Sequence, residues 1–252
     1  MKKLFAMLLA VLMVAALVAC GNTTAPSTTP AATEGTEATT DTTAATTGDE
    51  TAAVMTYAEY MAAEMEAAVT VECYVQAHQS WWDNKITVYA QDKDGAYFIY
   101  ELACSEEDAA KLTEGTKIRV SGYKGQWAGE IEIMDGTFEF VEGADTFVAE
   151  ALDVTELLGT EDLIKHQNQL AVFKGMTVEA IEYKNGEPGD DIYVTVSKDG
   201  NKYDFCVERY LTDPETEVYK AVGALAVGDT VDVTGFIYWY EGVNTHITGI
   251  SK

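Results

Sequence analysis

Residues 115–123 read G-T-K-I-R-V-S-G-Y and residues 228–236 read G-D-T-V-D-V-T-G-F, a gapless match pairing Gly115 with Gly228, Ile118 with Val231, Val120 with Val233, Gly122 with Gly235 and Tyr123 with Phe236. In the same register Trp127 falls on Tyr240 and Gly129 on Gly242. Upstream, V-E-C-Y-V-Q-A (71–77) corresponds to F-K-G-M-T-V-E-A (173–180), whose extra residue suits a β-bulge. D-K-D-G-A-Y-F-I-Y (92–100) corresponds to S-K-D-G-N-K-Y-D-F (197–205), where Asp-Gly supplies a hairpin turn. A repeat of this length describes one unit built twice, each copy burying its own core.

Each unit is predicted to contain five short strands. In the first copy Val69, Val71, Cys73 and Val75 alternate with other residues, and I-T-V-Y-A (86–90) alternates again. A-Y-F-I-Y-E-L (96–102) is aromatic and β-branched enough for a third strand, and 116–123 and 129–140 are the fourth and fifth. Between strands three and four, S-E-E-D-A-A-K-L-T-E-G (105–115) has a capping Ser, early acids and a closing Gly, the marks of one helix. A short helix is expected before each unit. T-Y-A-E (56–59) is a capping box opening a helix to about Ala67, and T-E-D-L-I-K-H (160–166) opens a shorter one. T-F-V-A-E-A-L (146–152) is expected to be a strand extending the first unit.

Three strands, a helix and two strands resemble the OB-fold, a five-stranded Greek-key barrel. The resemblance covers about residues 68–141 and 170–250 and implies a mainly β chain with two tandem OB-fold-like barrels, 55–142 and 153–252. Cys73 stands where the second copy has Gly175, so the first strand is expected to bend differently in the two copies. An SH3-like small barrel is the competing reading.

The resemblance also implies where a ligand sits: on the face of strands two and three, between the loops after strands one and four. In the first unit those loops are H-Q-S-W-W-D-N-K (78–85) and Y-K-G-Q-W-A-G-E (123–130), which hold Trp81, Trp82 and Trp127 beside His78, Asn84 and Gln126. In the second unit Tyr238, Trp239 and Tyr240 occupy one loop, while Y-K-N-G-E-P-G-D-D (183–191) has no tryptophan. Flat aromatic faces beside amide and carboxylate groups suit a sugar ring or an extended peptide. The same tryptophans would equally serve as plugs of small barrels or as packing between them.

The N-terminus carries an address. Met1-Lys2-Lys3, an apolar run too short for a comfortable membrane span and small residues before a cleavage point describe a secretory signal peptide. Its last residues, Leu17-Val18-Ala19-Cys20-Gly21, resemble the lipobox of bacterial lipoproteins. That resemblance implies cleavage before Cys20, acyl chains on Cys20 and a protein held on the extracytoplasmic face of a bacterial membrane. Residues 21–54 are almost all Thr, Ala, Ser, Pro, Gly and acid, a composition that cannot offset chain entropy and is expected to be a disordered tether.

With 42 acidic against 16 basic residues the formal charge is −26, the opposite of the field a phosphate backbone attracts, so nucleic acid is expected to be excluded as a partner. Cys73, Cys104 and Cys206 lie in or beside alternating stretches and are expected to be buried small apolar residues. No C-x-x-C pair or calcium loop is present, and His78, His166 and His246 lie in separate segments. No metal, cofactor or catalytic residue is therefore expected. The expected function is a non-catalytic, lipid-anchored surface protein that binds a glycan or extended peptide. A protein-interaction module of the cell envelope and an extracellular hydrolase are the alternatives. Oligomeric state is left open.

Overall fold

The computed structural model describes residues 53–252. The leader, Cys20 and residues 21–52 of the expected tether lie outside them. The chain is mainly β, and its first sheet is a closed five-stranded barrel. The short helix α1 (Tyr57–Ala62) precedes β1 (Ala68–His78), β2 (Lys85–Gln91) and β3 (Ala96–Ala103). Helix α2 (Glu106–Ala109), β4 (Lys117–Trp127) and β5 (Glu130–Phe140) follow, and the ring closes in the order β1-β2-β3-β5-β4. With a helix between β3 and β4 and a parallel β3–β5 pairing through Phe98–Glu132 and Ile99–Ile133, this is an OB-fold-like barrel. Alternation fills its interior: Val71, Cys73, Val75, Val88, Ile99, Ile118, Val120 and Ile133 are all buried.

The second sheet comprises β6 (Leu152–Asp153), β7 (Leu170–Tyr183), β8 (Ile192–Lys198), β9 (Asn201–Val207), β10 (Thr230–Phe236) and β11 (His246–Ser251), with helix α3 (Glu217–Gly223) between β9 and β10. It runs β10-β11-β9-β8-β7-β6, and β10 also pairs with β7. The β1–β2 ladder slips between Val75 and Ala77, and the β7–β8 ladder slips between Val178 and Ala180. These are matched positions of the repeat. Gly175, at φ +61, sits next to a further slip in the β7–β10 ladder, whereas Cys73 continues a regular β1–β4 pairing.

The helices are shorter than their sequence signals. The Thr56–Glu59 capping box is formed, but the chain leaves helical space at Ala63 to begin β1. Ser105 caps α2, which ends after Ala109. The helix expected at 160–166 is a 3-10 turn, Leu163–His166, with no side-chain cap. The expected strand 146–152 is also corrected. Only Leu152 and Asp153 pair, and they join β7 of the second sheet. Residues before them are strapped to the first barrel by Gln76, whose amide donates to Phe147 O at 3.1 Å and accepts from Ala149 N at 2.7 Å. That buried side chain satisfies backbone groups a ladder would otherwise pair. All three cysteines in the described residues are buried thiols.

Candidate ligand-binding cleft

Two contact zones between the sheets decide which aromatic residues stay available. In the first, Tyr89 and Phe98 of β2 and β3 meet Phe236 and Tyr238. Tyr89 stacks on Phe236 with centroids 4.7 Å apart, Phe98 meets Tyr238 edge-on at 5.2 Å, and Tyr238 stacks on His246 at 4.3 Å. The middle of the face expected to take a ligand is therefore covered by the second sheet. His246 is buried, and desolvation pushes its imidazole down to about 4, so it is neutral in the joint.

The second zone joins the β4–β5 hairpin to the loop after β10. Trp239 N donates to Glu130 Oε2 at 2.8 Å, and Glu241 N donates to Ala128 O at 2.7 Å. Gln167 accepts from Ile131 N and donates to Gly129 O, while Asn168 donates to Ile131 O. Glu130 is fully buried, its Oε1 has no hydrogen-bond partner among the described residues, and burial pushes its carboxyl up to about 8. Trp239 is half-buried against the second core. Trp127 and Tyr240 remain exposed here.

The sequence-predicted residues are thus divided between places. Tyr238, Trp239, Tyr240 and Trp127 belong to the joint or its margin, and Trp127 does not line the cleft that holds Trp81 and Trp82. Gln126 is exposed on the same β4 end as Trp127. His78 is half-buried, with Nδ1 against Gln79 O at 2.8 Å, and does not line the cleft. Asn84 shapes the turn. Asp83 and Asn84 have φ of 48° and 60°, and Trp82 and Lys85 exchange backbone hydrogen bonds, which makes a two-residue hairpin turn with both central residues left-handed.

That turn separates the adjacent tryptophans. Trp81 packs on the first core and its indole N–H donates to Cys104 O at 2.8 Å. Trp82 is 79% exposed. It borders a cleft of about 510 Å³ shared by the β1–β2 loop, the start of β2 and the end of β3 with two residues of the second unit, Arg209 and Tyr210. Ser80 docks the two units here, its N and Oγ both donating to Tyr210 O, at 2.7 and 3.3 Å. Tyr100 and Tyr210 are exposed on the cleft walls. Lys85 is paired with Glu101 at 2.6 Å. The Arg209 guanidinium lies 4.9 Å over the Tyr210 ring, and Arg209 N donates to Asp191 Oδ1.

Sequence reasoning missed Tyr100, Arg209 and Tyr210. The one available signal was rarity: Arg119 and Arg209 are the chain's two arginines. Arg119 is spent on Glu72 and Glu139 within the first barrel.

No protein-family model matches the chain, and no curated protein matches it. It superposes at low similarity on a murine DNA-binding protein bound to double-stranded DNA, with 13% identity, 70% of this chain and 90% of that one covered, and a TM-score of 0.34. A p204 HINb domain aligns at 12% identity over 73% of this chain and 95% of that one, with a TM-score of 0.36. A Replication Protein A heterotrimer bound to single-stranded DNA aligns at 13% identity over 72% of this chain and 50% of that one, with a TM-score of 0.30. Likeness at this level assigns the chain neither family nor ligand. It does correct one expectation. Proteins described with bound DNA are among those the chain superposes on, so the exclusion of nucleic acid drawn from net charge is withdrawn. Net charge is a sum over the whole chain, and binding is decided by one local surface.

Proposed function

We propose that the two rings are copies of one OB-type unit, 55–142 and 153–252, and that together they form a non-catalytic glycan-binding module. The observation that carries this reading is the cleft where exposed Trp82 stands with Tyr100 and Tyr210 around hydrogen-bonding side chains. Aromatic faces of this kind stack on sugar rings, and Gln79 and Ser80 supply polar partners for hydroxyls. A peptide docking as an added strand needs a free sheet edge, and β2 and β3 are paired on both sides in the closed ring. This favours the glycan over the extended peptide.

The resemblance of Leu17–Gly21 to a lipobox supports acylation at Cys20, with residues 21–54 as a tether on the extracytoplasmic side of the membrane. Cys20→Ala is expected to move the protein from the membrane to the soluble fraction.

The binding reading is tested on a glycan array with the wild type, Trp82→Ala and Tyr210→Ala. Selective binding by the wild type, lost in both variants with unchanged near-UV circular dichroism, is expected. A blank array for the wild type sinks the reading. A second reading, docking to another envelope protein, is favoured by the exposed Trp127 and Tyr240 at the β4–β5 hairpin. Crosslinking from that hairpin to a single partner, abolished by Trp127→Ala, would support it.

A further inference from the structure

Among the described residues, the basic side chains of this acidic protein are almost all engaged. Lys85, Lys117, Arg119, Lys184 and Lys202 are in ion pairs, and Lys124 donates to two backbone carbonyls, Met61 O and Ala63 O. Arg209 is the exception: among the described residues its guanidinium has no hydrogen-bond or ion-pair partner, although it is half-buried and lines the Trp82 cleft. The acids nearest to it in the chain and fold are already occupied. Asp191 is paired with Lys184 at 2.8 Å and accepts from Arg209 N, and Glu208 accepts from Leu211 N. The contact with the Tyr210 ring leaves its N–H donors unused, and a half-buried guanidinium with unpaired donors favours a ligand that supplies the acceptor.

We infer that the cleft takes a sugar ring bearing a single carboxylate, with the carboxylate on Arg209 and the ring against Trp82 and its aromatic neighbours; this rests on the glycan reading above. The planar guanidinium presents two parallel N–H donors that match a carboxylate, and the Tyr210 ring beneath it fixes its plane. One charge is the number the site accommodates. Lys85 is spent on Glu101, which itself lines the cleft, so a second negative group would meet a carboxylate. Uronate and sialate sugars share this chemistry.

Calorimetric titration of the full chain with a trisaccharide carrying one terminal galacturonate, a trisaccharide carrying one terminal sialate, the methyl ester of each and a neutral trisaccharide tests the assignment. One of the two acidic sugars is expected to bind at least about tenfold more tightly than its methyl ester, the scale of one charge-assisted pair. Which acid wins identifies the source of the carboxylate. Arg209→Gln is expected to bring the acid to the level of the ester and leave the ester unchanged, whereas Trp82→Ala weakens both. The ester needs no folded variant, so the comparison survives a failure of Arg209→Gln to fold.

Equal binding of acid and ester, or an acid preference that persists in Arg209→Gln, overturns the carboxylate assignment and leaves glycan binding standing. Absence of binding to every sugar overturns both. Binding of a single-stranded dT oligonucleotide through Arg209 and Trp82, with affinity falling steeply with salt, overturns it in favour of a polyanion.

Discussion

The hydroxyl of Tyr89 on the first barrel lies 2.6 Å from Nδ1 of His246 on the second sheet, both side chains being buried. Gln79 Nε2 donates to the same hydroxyl at 3.4 Å, so the Tyr89 O–H is free to donate to a neutral imidazole. This polar contact sits within an aromatic cluster of Phe98, Phe236 and Tyr238, and removing it strands a buried acceptor. Tyr89→Phe keeps the stacking and is expected to lower stability by about 1–3 kcal/mol in urea unfolding. An unchanged midpoint would show that the aromatic packing alone holds the joint.

The joint also sets a pH dependence. His246, held down to about 4 from an ordinary 6.5, binds its proton in the unfolded chain first, so its contribution rises with pH from about 4 to 6.5 and is lost on acidification. Glu130 has the opposite sign. Its folded carboxyl keeps the proton up to about 8 against an ordinary 4.5, so its contribution is complete below 4.5 and is lost as pH rises through 8. Above 6.5 His246 no longer titrates, and stability is expected to fall by about 2 kcal/mol between pH 6.5 and 8. Glu132 and Glu208, also pushed up by burial, act in the same sense. Glu130→Gln is expected to flatten this decline in thermal melts, and a slope equal to wild type would remove Glu130 as its source.

The adjacent tryptophans are expected to separate cleanly under mutation. Trp82→Ala, at a side chain 79% exposed, should change stability by less than about 0.5 kcal/mol. Trp81→Ala removes packing on the first core and leaves Cys104 O without its indole donor, and is expected to cost about 3 kcal/mol. Paired denaturant titrations read both, and equal losses would mean the hairpin turn does not divide them.

Gly122 and Gly235, matched positions in the repeat, are glycines for the same reason. A Cβ at Gly122 would stand 2.7 Å from Met134 O of the neighbouring strand, and one at Gly235 would overlap His246 O. Both alanine variants are expected to lose more than about 2 kcal/mol, because backbone has to move. Gly242→Ala, with open space around it, should stay near wild type. Unequal responses of Gly122 and Gly235 would indicate that the two rings tolerate strand separation differently.

Much of the fold was legible because its signals are local. Alternation over a few residues placed Val71, Cys73, Val75, Ile118 and Val120 in one interior, and Asp94-Gly95 and Ser105 marked a turn and a helix start. Helix lengths were overestimated, since a cap states where a helix begins and the need to enter the next strand states where it ends. The candidate site was half legible. Trp82 was in view, but Trp127 stands with Tyr240, and Arg209 and Tyr210 complete the cleft across 127 and 128 positions of sequence from Trp82.

The amino-acid order by itself determined most of the strands and several of their turns, because side-chain alternation and turn conformations act within two to four residues. Only the tertiary structure decided that Phe236, Tyr238 and His246 cover the middle of the face of β2 and β3, and that the guanidinium left without a partner shares a cleft with an exposed tryptophan. Docking of two surfaces depends on shape, stacking and partner-by-partner hydrogen bonding between residues more than a hundred positions apart. No period in the chain encodes that fit.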